Sequence, residues 1–106
     1  MASQKQIQRI QEMEACLDRA AAAITDFDRA LEDFEGVQKD YQRLSDYYGS
    51  GRWRKDHEAD EEGKLPLELK RGVLGEDTVY DLILQYRDLG RRMLRLVSTA
   101  LDSDML

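Results

Sequence analysis

The sequence has few residues of four types: one cysteine, one proline, one histidine and one tryptophan in 106 residues. The single cysteine, Cys16, cannot form an intrachain disulfide, so nothing indicates an oxidising compartment. No apolar run of signal-peptide length follows Met1, and no stretch approaches the ~20 apolar residues of a transmembrane helix. These absences predict a cytoplasmic protein with no membrane partner.

Positive charge is also in deficit, because 16 lysines and arginines face 22 acidic residues, which gives a net charge of −6. Affinity for phosphate groups depends mainly on Lys and Arg, so an acidic surface disfavours nucleic acid. Arg87, Arg91 and Arg95 form a basic ridge, but Asp88 can pair with arginines along the same helix. The sequence therefore predicts no nucleic-acid partner.

Proline is absent from residues 3–48, and apolar side chains recur there at helical spacing. From Ile10 on, the steps alternate between three and four residues, with one extra step of three between Phe34 and Val37. This heptad-like pattern, typical of a coiled coil, predicts a long amphipathic helix over about residues 3–48. We expect it to be continuous or gently bent at Gly36. A break there into two helices is the alternative. The apolar positions are Ile7, Ile10, Met13, Leu17, Ala20, Ile24, Phe27, Leu31, Phe34, Val37, Tyr41, Leu44 and Tyr48.

A second amphipathic pattern occupies about residues 76–101. Acidic residues lie in its first turn and arginines toward its end, which suits the helix dipole. The steps of three and four residues predict a second long helix. Its apolar positions are Val79, Leu82, Tyr86, Leu89, Met93, Leu96 and Ala100.

The connection between the two patterns, about residues 49–75, is much longer than the ~2–8 residues usual between bundle helices. Gly49, Ser50 and Gly51 indicate that the first helix stops. A proline at the start and a glycine at the end predict a short helix over about residues 66–71. Apolar residues spread through the connection indicate that it is ordered and packed.

Helix length predicts self-association. At 1.5 Å per residue the first helix would span ~69 Å and the second ~39 Å, so the second cannot cover the whole apolar stripe of the first. We therefore predict an all-α, single domain over residues 1–106, a helical hairpin or bundle completed by homodimerisation. The predicted dimer interface is Ile10, Met13, Leu17 and Ile24. With a break at Gly36, the alternative is a monomeric three-helix bundle.

The connection and its flanks also resemble a known family. The residues that carry the resemblance are Tyr47-Tyr48, Ser50-Gly51, Trp53, Asp56, Glu58-Ala59-Asp60-Glu61, Gly63, Leu65-Pro66, Leu69-Lys70-Arg71-Gly72-Val73-Leu74, Glu76-Asp77 and Tyr80. They look like the signature of a small bacterial family catalogued as domain of unknown function 4298, over roughly residues 7–97. The resemblance implies an ordered middle segment and an intracellular bacterial protein, and it lends no catalytic residues.

One departure from the family pattern is Gly75, where the family often carries serine. Serine would cap the last helix, and glycine is a slightly weaker cap. The departure therefore puts in doubt only how firmly the last helix begins.

The candidate functional segment lies in the connection, where acidic side chains surround the only histidine. Carboxylates with one imidazole can bind divalent metal ions, but the spacing matches no metal motif. The favoured interpretation is structural, with these acids capping helices or pairing with nearby basic residues, so no metal and no cofactor are predicted. The segment comprises Trp53, Asp56, His57, Glu58, Asp60, Glu61, Lys70 and Arg71, with Glu62 at its acidic end.

Two functions remain open. The favoured one is a protein–protein interaction or scaffold module that acts through helix–helix contacts, as a homodimer and with a possible further protein partner. The alternative is a metal-dependent phosphohydrolase, which needs paired carboxylates on facing helices. Its candidate ligands are Glu32, Glu35, Asp77 and Asp81, or the acidic cluster of the connection.

Overall fold

The structure, a computed structural model, describes residues 1–102. Within that range it contains four α-helices, one short 3-10 helix and no strand, which confirms the all-α prediction. The α-helices are α1 (Gln4–Gly36), α2 (Gln38–Tyr48), α3 (Gly51–Glu61) and α4 (Thr78–Leu101), and the 3-10 helix is Gly72–Leu74. None of the helices in this range has the length and apolar character needed to cross a membrane.

The chain divides into two compact units, Met1–Asp40 and Tyr41–Leu106. The first unit consists of α1 and the start of α2. The second contains the rest of α2, α3, the 3-10 helix and α4.

Helix α1 is bounded by local hydrogen bonds at both ends. The Ser3 side chain accepts from the Gln6 N–H at 3.1 Å and caps the N-terminus. At the other end the Val37 backbone leaves the helical region, at φ −101° and ψ 5°, and its N–H donates to the Phe34 carbonyl at 3.3 Å. The Gln38 side chain donates to the same carbonyl at 3.0 Å.

The expectation of one continuous helix over residues 3–48 is therefore wrong, because Val37 separates α1 from α2. The interruption is one residue long and coincides with the extra step of three in the apolar pattern. Gly36 next to it weakens the helix by about 1 kcal/mol relative to alanine. The weak helix propensity of glycine and the shift in the apolar pattern thus both favour an interruption at the same point of the chain.

Helix α1 buries none of its residues. Its apolar positions are exposed along most of its length, from 43% at Ile7 to 70% at Ile24. Only Ala15, Leu31 and Phe34 are half-buried. The apolar face of α1 is therefore available to a partner.

In the second unit α2 and α4 lie side by side in opposite directions. Tyr41 stacks on Tyr86 with ring centroids 3.9 Å apart and the planes at 11°. At the other end of α2, the Tyr48 hydroxyl donates to the Glu76 carbonyl at 3.3 Å. Residues later in α2 thus contact residues closer to the start of α4, so the two helices are antiparallel.

The core of the second unit is small. Among the described residues only Leu74 and Val79 are buried, at 5% and 2% exposure. The 3-10 helix that carries Leu74 contacts both α3 and α4. The start of α4 and the end of the connection therefore form the centre of this unit.

Helix α3 was missed by the sequence analysis, which treated Gly49 to Gly51 only as a stop. Ser50 both ends one helix and begins the next: its hydroxyl donates to the Tyr47 carbonyl at 2.6 Å and accepts from the Trp53 N–H at 3.4 Å. Gly63, at φ 70°, ends α3 in a Schellman turn, in which the Lys64 N–H donates to the Ala59 carbonyl at 3.0 Å.

The predicted short helix over residues 66–71 is absent. One turn forms, in which the Leu69 N–H donates to the Pro66 carbonyl at 3.2 Å, and the 3-10 helix follows after Arg71. A helix of six residues is too short to be stable alone, so tertiary contacts decide the backbone. Position 75 also lies outside the cap of α4, because Asp77 occupies the N-cap and makes no side-chain cap bond.

Replacing Ser50 with alanine should test the junction of α2 and α3. We expect Ser50→Ala to lower the free energy of unfolding by about 1 kcal/mol, the usual cost of a lost N-cap. The measurement is urea unfolding followed by circular dichroism. Ser98→Ala, on an exposed position inside α4, is the control and should leave stability nearly unchanged. Equal effects at the two serines would contradict the capping role.

Candidate functional site

Helix α3 directs the acidic residues of the predicted segment to different partners. Asp56 accepts a hydrogen bond from the Tyr47 hydroxyl at 2.5 Å. Asp60 forms an ion pair with Arg71 at 3.1 Å, with both side chains half-buried. The acids thus do not act as one cluster, and two of them join α3 to α2 and to the connection.

Trp53 forms the floor of a polar site on the next face of α3. Its ring Nε1–H donates to the Val73 carbonyl at 3.0 Å. The indole meets the Tyr48 ring edge to face, with centroids 5.0 Å apart. The tryptophan is therefore anchored by one hydrogen bond and by aromatic packing, and its other neighbour is an imidazole.

The His57 ring lies flat on Trp53, with centroids 4.8 Å apart and the planes at 9°. Its Nδ1 is 2.7 Å from the Leu74 carbonyl oxygen. A carbonyl oxygen can only accept, so Nδ1 carries a hydrogen and donates it. The ring is thus oriented by a stack and a hydrogen bond, and Nε2 points away from the backbone.

Two carboxylates face the Nε2 atom of His57. Glu61, one turn later on α3, places Oε1 at 3.1 Å, and Glu76, just before α4, places Oε1 at 4.0 Å. The His57 side chain is only 17% exposed, whereas those of Glu61 and Glu76 are 63% and 76% exposed. The site is therefore an anchored imidazole with two solvent-exposed acids at its outer edge.

The neighbours of His57 favour a positive charge at Nε2. The hydrogen bond to the Leu74 carbonyl raises the pKa of His57 above its usual value, partial burial opposes it, and the carboxylates of Glu61 and Glu76 raise it further. Neutral imidazole with hydrogen on Nδ1 would aim a lone pair at the carboxylates. The arrangement therefore calls for a cation at Nε2, either a proton or a metal ion.

The remaining predicted site residues lie elsewhere. Glu58 is exposed on α3, and Glu62 pairs with Lys64 at 2.6 Å. Lys70 lines an open, mainly apolar groove of about 380 Å³ together with residues of α2, the 3-10 helix and α4.

The predicted interface residues Ile10, Met13, Leu17 and Ile24 lie on the exposed face of α1. Of the alternative metal ligands, Glu32 and Glu35 lie on α1, Asp77 is the N-cap of α4 and Asp81 is in its first turn.

The sequence analysis missed two components of the site, Glu76 and the Leu74 carbonyl. They lie well over a dozen residues from His57, and no spacing rule connects them to it. It also gave no role to Tyr47, although the Tyr47-Tyr48 pair belongs to the family signature. Two signals were present: Leu74 and Glu76 belong to the family signature, and His57 and Glu61 are four residues apart, which places them on one face once α3 is known to be a helix.

The bond between Tyr47 and Asp56 yields a pH prediction. Partial burial, the hydrogen bond to Asp56 and the Asp56 charge raise the pKa of Tyr47 to about 12. The folded pKa exceeds the unfolded value of about 10, so protonated Tyr47 stabilises the fold fully below pH ~10. That contribution is lost as the pH rises through about 12.

An ultraviolet absorbance titration of the tyrosines, with helicity followed in the same samples, measures this effect. One tyrosine should ionise late, and Asp56→Asn should bring it back toward the ordinary range. Asp46→Asn removes the same charge from α2, where Asp46 accepts from Gln42 at 2.9 Å, and should leave the late step in place. A late step that survives Asp56→Asn would show that Asp56 does not cause the shift.

Comparison with known proteins assigns the chain to a family. Comparison with curated proteins and with solved structures found no match. A family model described as "Domain of unknown function (DUF4298)" matches residues 10–96, which is most of the 106-residue chain. The match covers all of α2, α3 and the 3-10 helix and most of α1 and α4. The protein therefore belongs to the DUF4298 family.

Proposed function

We propose that this protein is a helical interaction module that forms a homodimer through the apolar face of α1. The face consists of the heptad positions Ile10, Met13, Leu17, Ala20, Ile24, Phe27, Leu31 and Phe34. The module would act by binding another helix, and the first such partner would be α1 of a second copy. The second unit of each copy would then be free to meet a further protein, as a scaffold requires.

The observation that carries this proposal is the exposure of the α1 face. Met13, Leu17 and Phe27 are 56%, 60% and 56% exposed, and no residue of α1 is buried. Fully burying such a side chain contributes about 1.5–3 kcal/mol, so leaving these three side chains in water is costly. Contiguous apolar surface on this scale typically marks an interface.

The order of large and small side chains favours a second copy as the occupant. In an antiparallel pair centred at residue 22, each stripe position meets the one equally far on the other side of that centre. Leu17 would meet Phe27 of a second copy, and Ala20 would meet Ile24. The small Ala20 then meets the larger Ile24, Phe27 meets Leu17 and not a second phenylalanine, and all eight positions are used.

A parallel pair would fill the same stripe less evenly, because identical residues would meet. Ala20 would face Ala20 between layers of leucine and isoleucine, and Phe27 would face Phe27. In the antiparallel pair, Ala21 and Ala23 flank the axis and allow the helices to approach closely. Glu14 would lie near Asp28 of a second copy, a like-charge pair at an exposed rim, which costs little.

Substituting Leu17 tests the dimer. We expect wild-type protein to have the mass of a dimer in light scattering over a dilution series, and Leu17→Glu to have the mass of a monomer, because a charge would be buried in the interface. The matched control is Ala22→Glu, which places the same charge at an exposed position on the opposite side of α1. Loss of the dimer in both variants, or in neither, would contradict the proposed face.

Cys16 reports the orientation. In the antiparallel pair the two Cys16 residues are separated by about 18 Å along the helix axis, at 1.5 Å per residue. A short bismaleimide should therefore cross-link wild-type protein poorly, and should cross-link Ala30→Cys efficiently, because residue 30 would lie beside Cys16 of a second copy. Efficient cross-linking of the wild-type protein instead would indicate a parallel pair.

A further inference from the structure

We propose that His57, Glu61 and Glu76 bind one divalent first-row transition metal ion, such as Zn²⁺, between the end of α3 and the start of α4. This site goes beyond the proposed dimer and shares no residue with it. It is the one group of three or more potential metal-ligating side chains that comes together within residues 1–102. Its ligands are one imidazole nitrogen and two carboxylate oxygens.

The distances suit a single ion. The three ligand atoms lie within 4.8 Å of one another, with Nε2 of His57 3.1 Å from Glu61 and 4.0 Å from Glu76. Bonds of about 2.1 Å to one zinc ion place two neighbouring ligands about 3.0–3.4 Å apart. His57 and Glu61 already have this separation. Glu76, which is 76% exposed, needs only a small side-chain movement.

The imidazole is already oriented as a ligand. Metal-binding histidines commonly donate their second ring N–H to a carbonyl or carboxylate, which fixes the tautomer and leaves the other nitrogen to the metal. His57 makes this bond from Nδ1 to the Leu74 carbonyl at 2.7 Å, and Trp53 covers one face of the ring. Leu74 is itself buried, so the acceptor belongs to the core of the unit.

The chemistry of the ligands selects the class of ion. Nitrogen and oxygen donors together suit Zn²⁺ and its first-row neighbours, whereas Mg²⁺ and Ca²⁺ prefer oxygen ligands alone. Three protein ligands leave a fourth position for water or an anion. A proton on Nε2 is the competing cation, so the test is made at pH 8, where the histidine can deprotonate.

The test is calorimetric titration of metal-free protein with Zn²⁺, in a Cys16→Ser background that removes the exposed thiol. We expect saturation at one ion per chain. Glu61→Gln and Glu76→Gln should each weaken binding at least about tenfold. These glutamates are exposed, so the variants should still fold. Glu58→Gln, an exposed acid on the same helix, is the matched control and should bind as the parent does.

The imidazole nitrogens give a second readout. Because the chain has a single histidine, ¹⁵N resonances of its ring are assigned without ambiguity. Zn²⁺ should shift Nε2 and leave the Nδ1–H in place, and millimolar Mg²⁺ should do neither. The proposal is overturned if Zn²⁺ binds without saturation, if the Glu61 and Glu76 variants bind as the control does, or if Nε2 responds only to protons.

Discussion

Two hydrogen bonds from α3 to backbone carbonyls determine the architecture of the second unit. Trp53 donates to Val73 and His57 donates to Leu74, and these bonds place the 3-10 helix against α3. Because Leu74 and Val79 are the only buried apolar residues described, that placement also positions the start of α4. Buried carbonyls need donors, so a core this small depends on polar side chains that reach it from the neighbouring helix. Trp53 therefore has a structural role, which is to hold the 3-10 helix against α3.

The same small core leaves much of the apolar surface of the chain exposed. The chain has 42% hydrophobic residues, yet most of its large apolar side chains remain exposed in the single chain. A chain of this size normally buries a much larger part of its apolar surface. Self-association is the simplest way to remove that surface from water, because a second copy brings the same apolar stripe. The balance of large and small residues along α1 suits such a pairing.

The sequence predicted what depends on periodicity and missed what depends on tertiary contact. The three-and-four spacing identifies α4 and most of α1, because a buried stripe repeats with the helical turn. It located the irregularity at Gly36 but favoured a continuous helix over a break, because one glycine in a helix interior costs only about 1 kcal/mol. Ser50 and Gly63 mark the two ends of α3 in the sequence. Gly49 and Gly51, which flank Ser50, were interpreted only as the end of the preceding helix, so the start of α3 was missed. The role of Glu76 was unpredictable, since only the fold brings it to His57.

A cation at His57 would matter for the fold as well as for chemistry. Glu61 is the last residue of α3 and Glu76 lies just before α4, so the site places two carboxylates close together in a chain of net charge −6. Without a positive charge between them these carboxylates would repel and loosen the junction. A proton on the imidazole supplies one charge, and a divalent ion supplies two and binds both acids directly. Metal binding would thus tighten the contact that orients α4 in the second unit, whereas pairing of α1 belongs to the first.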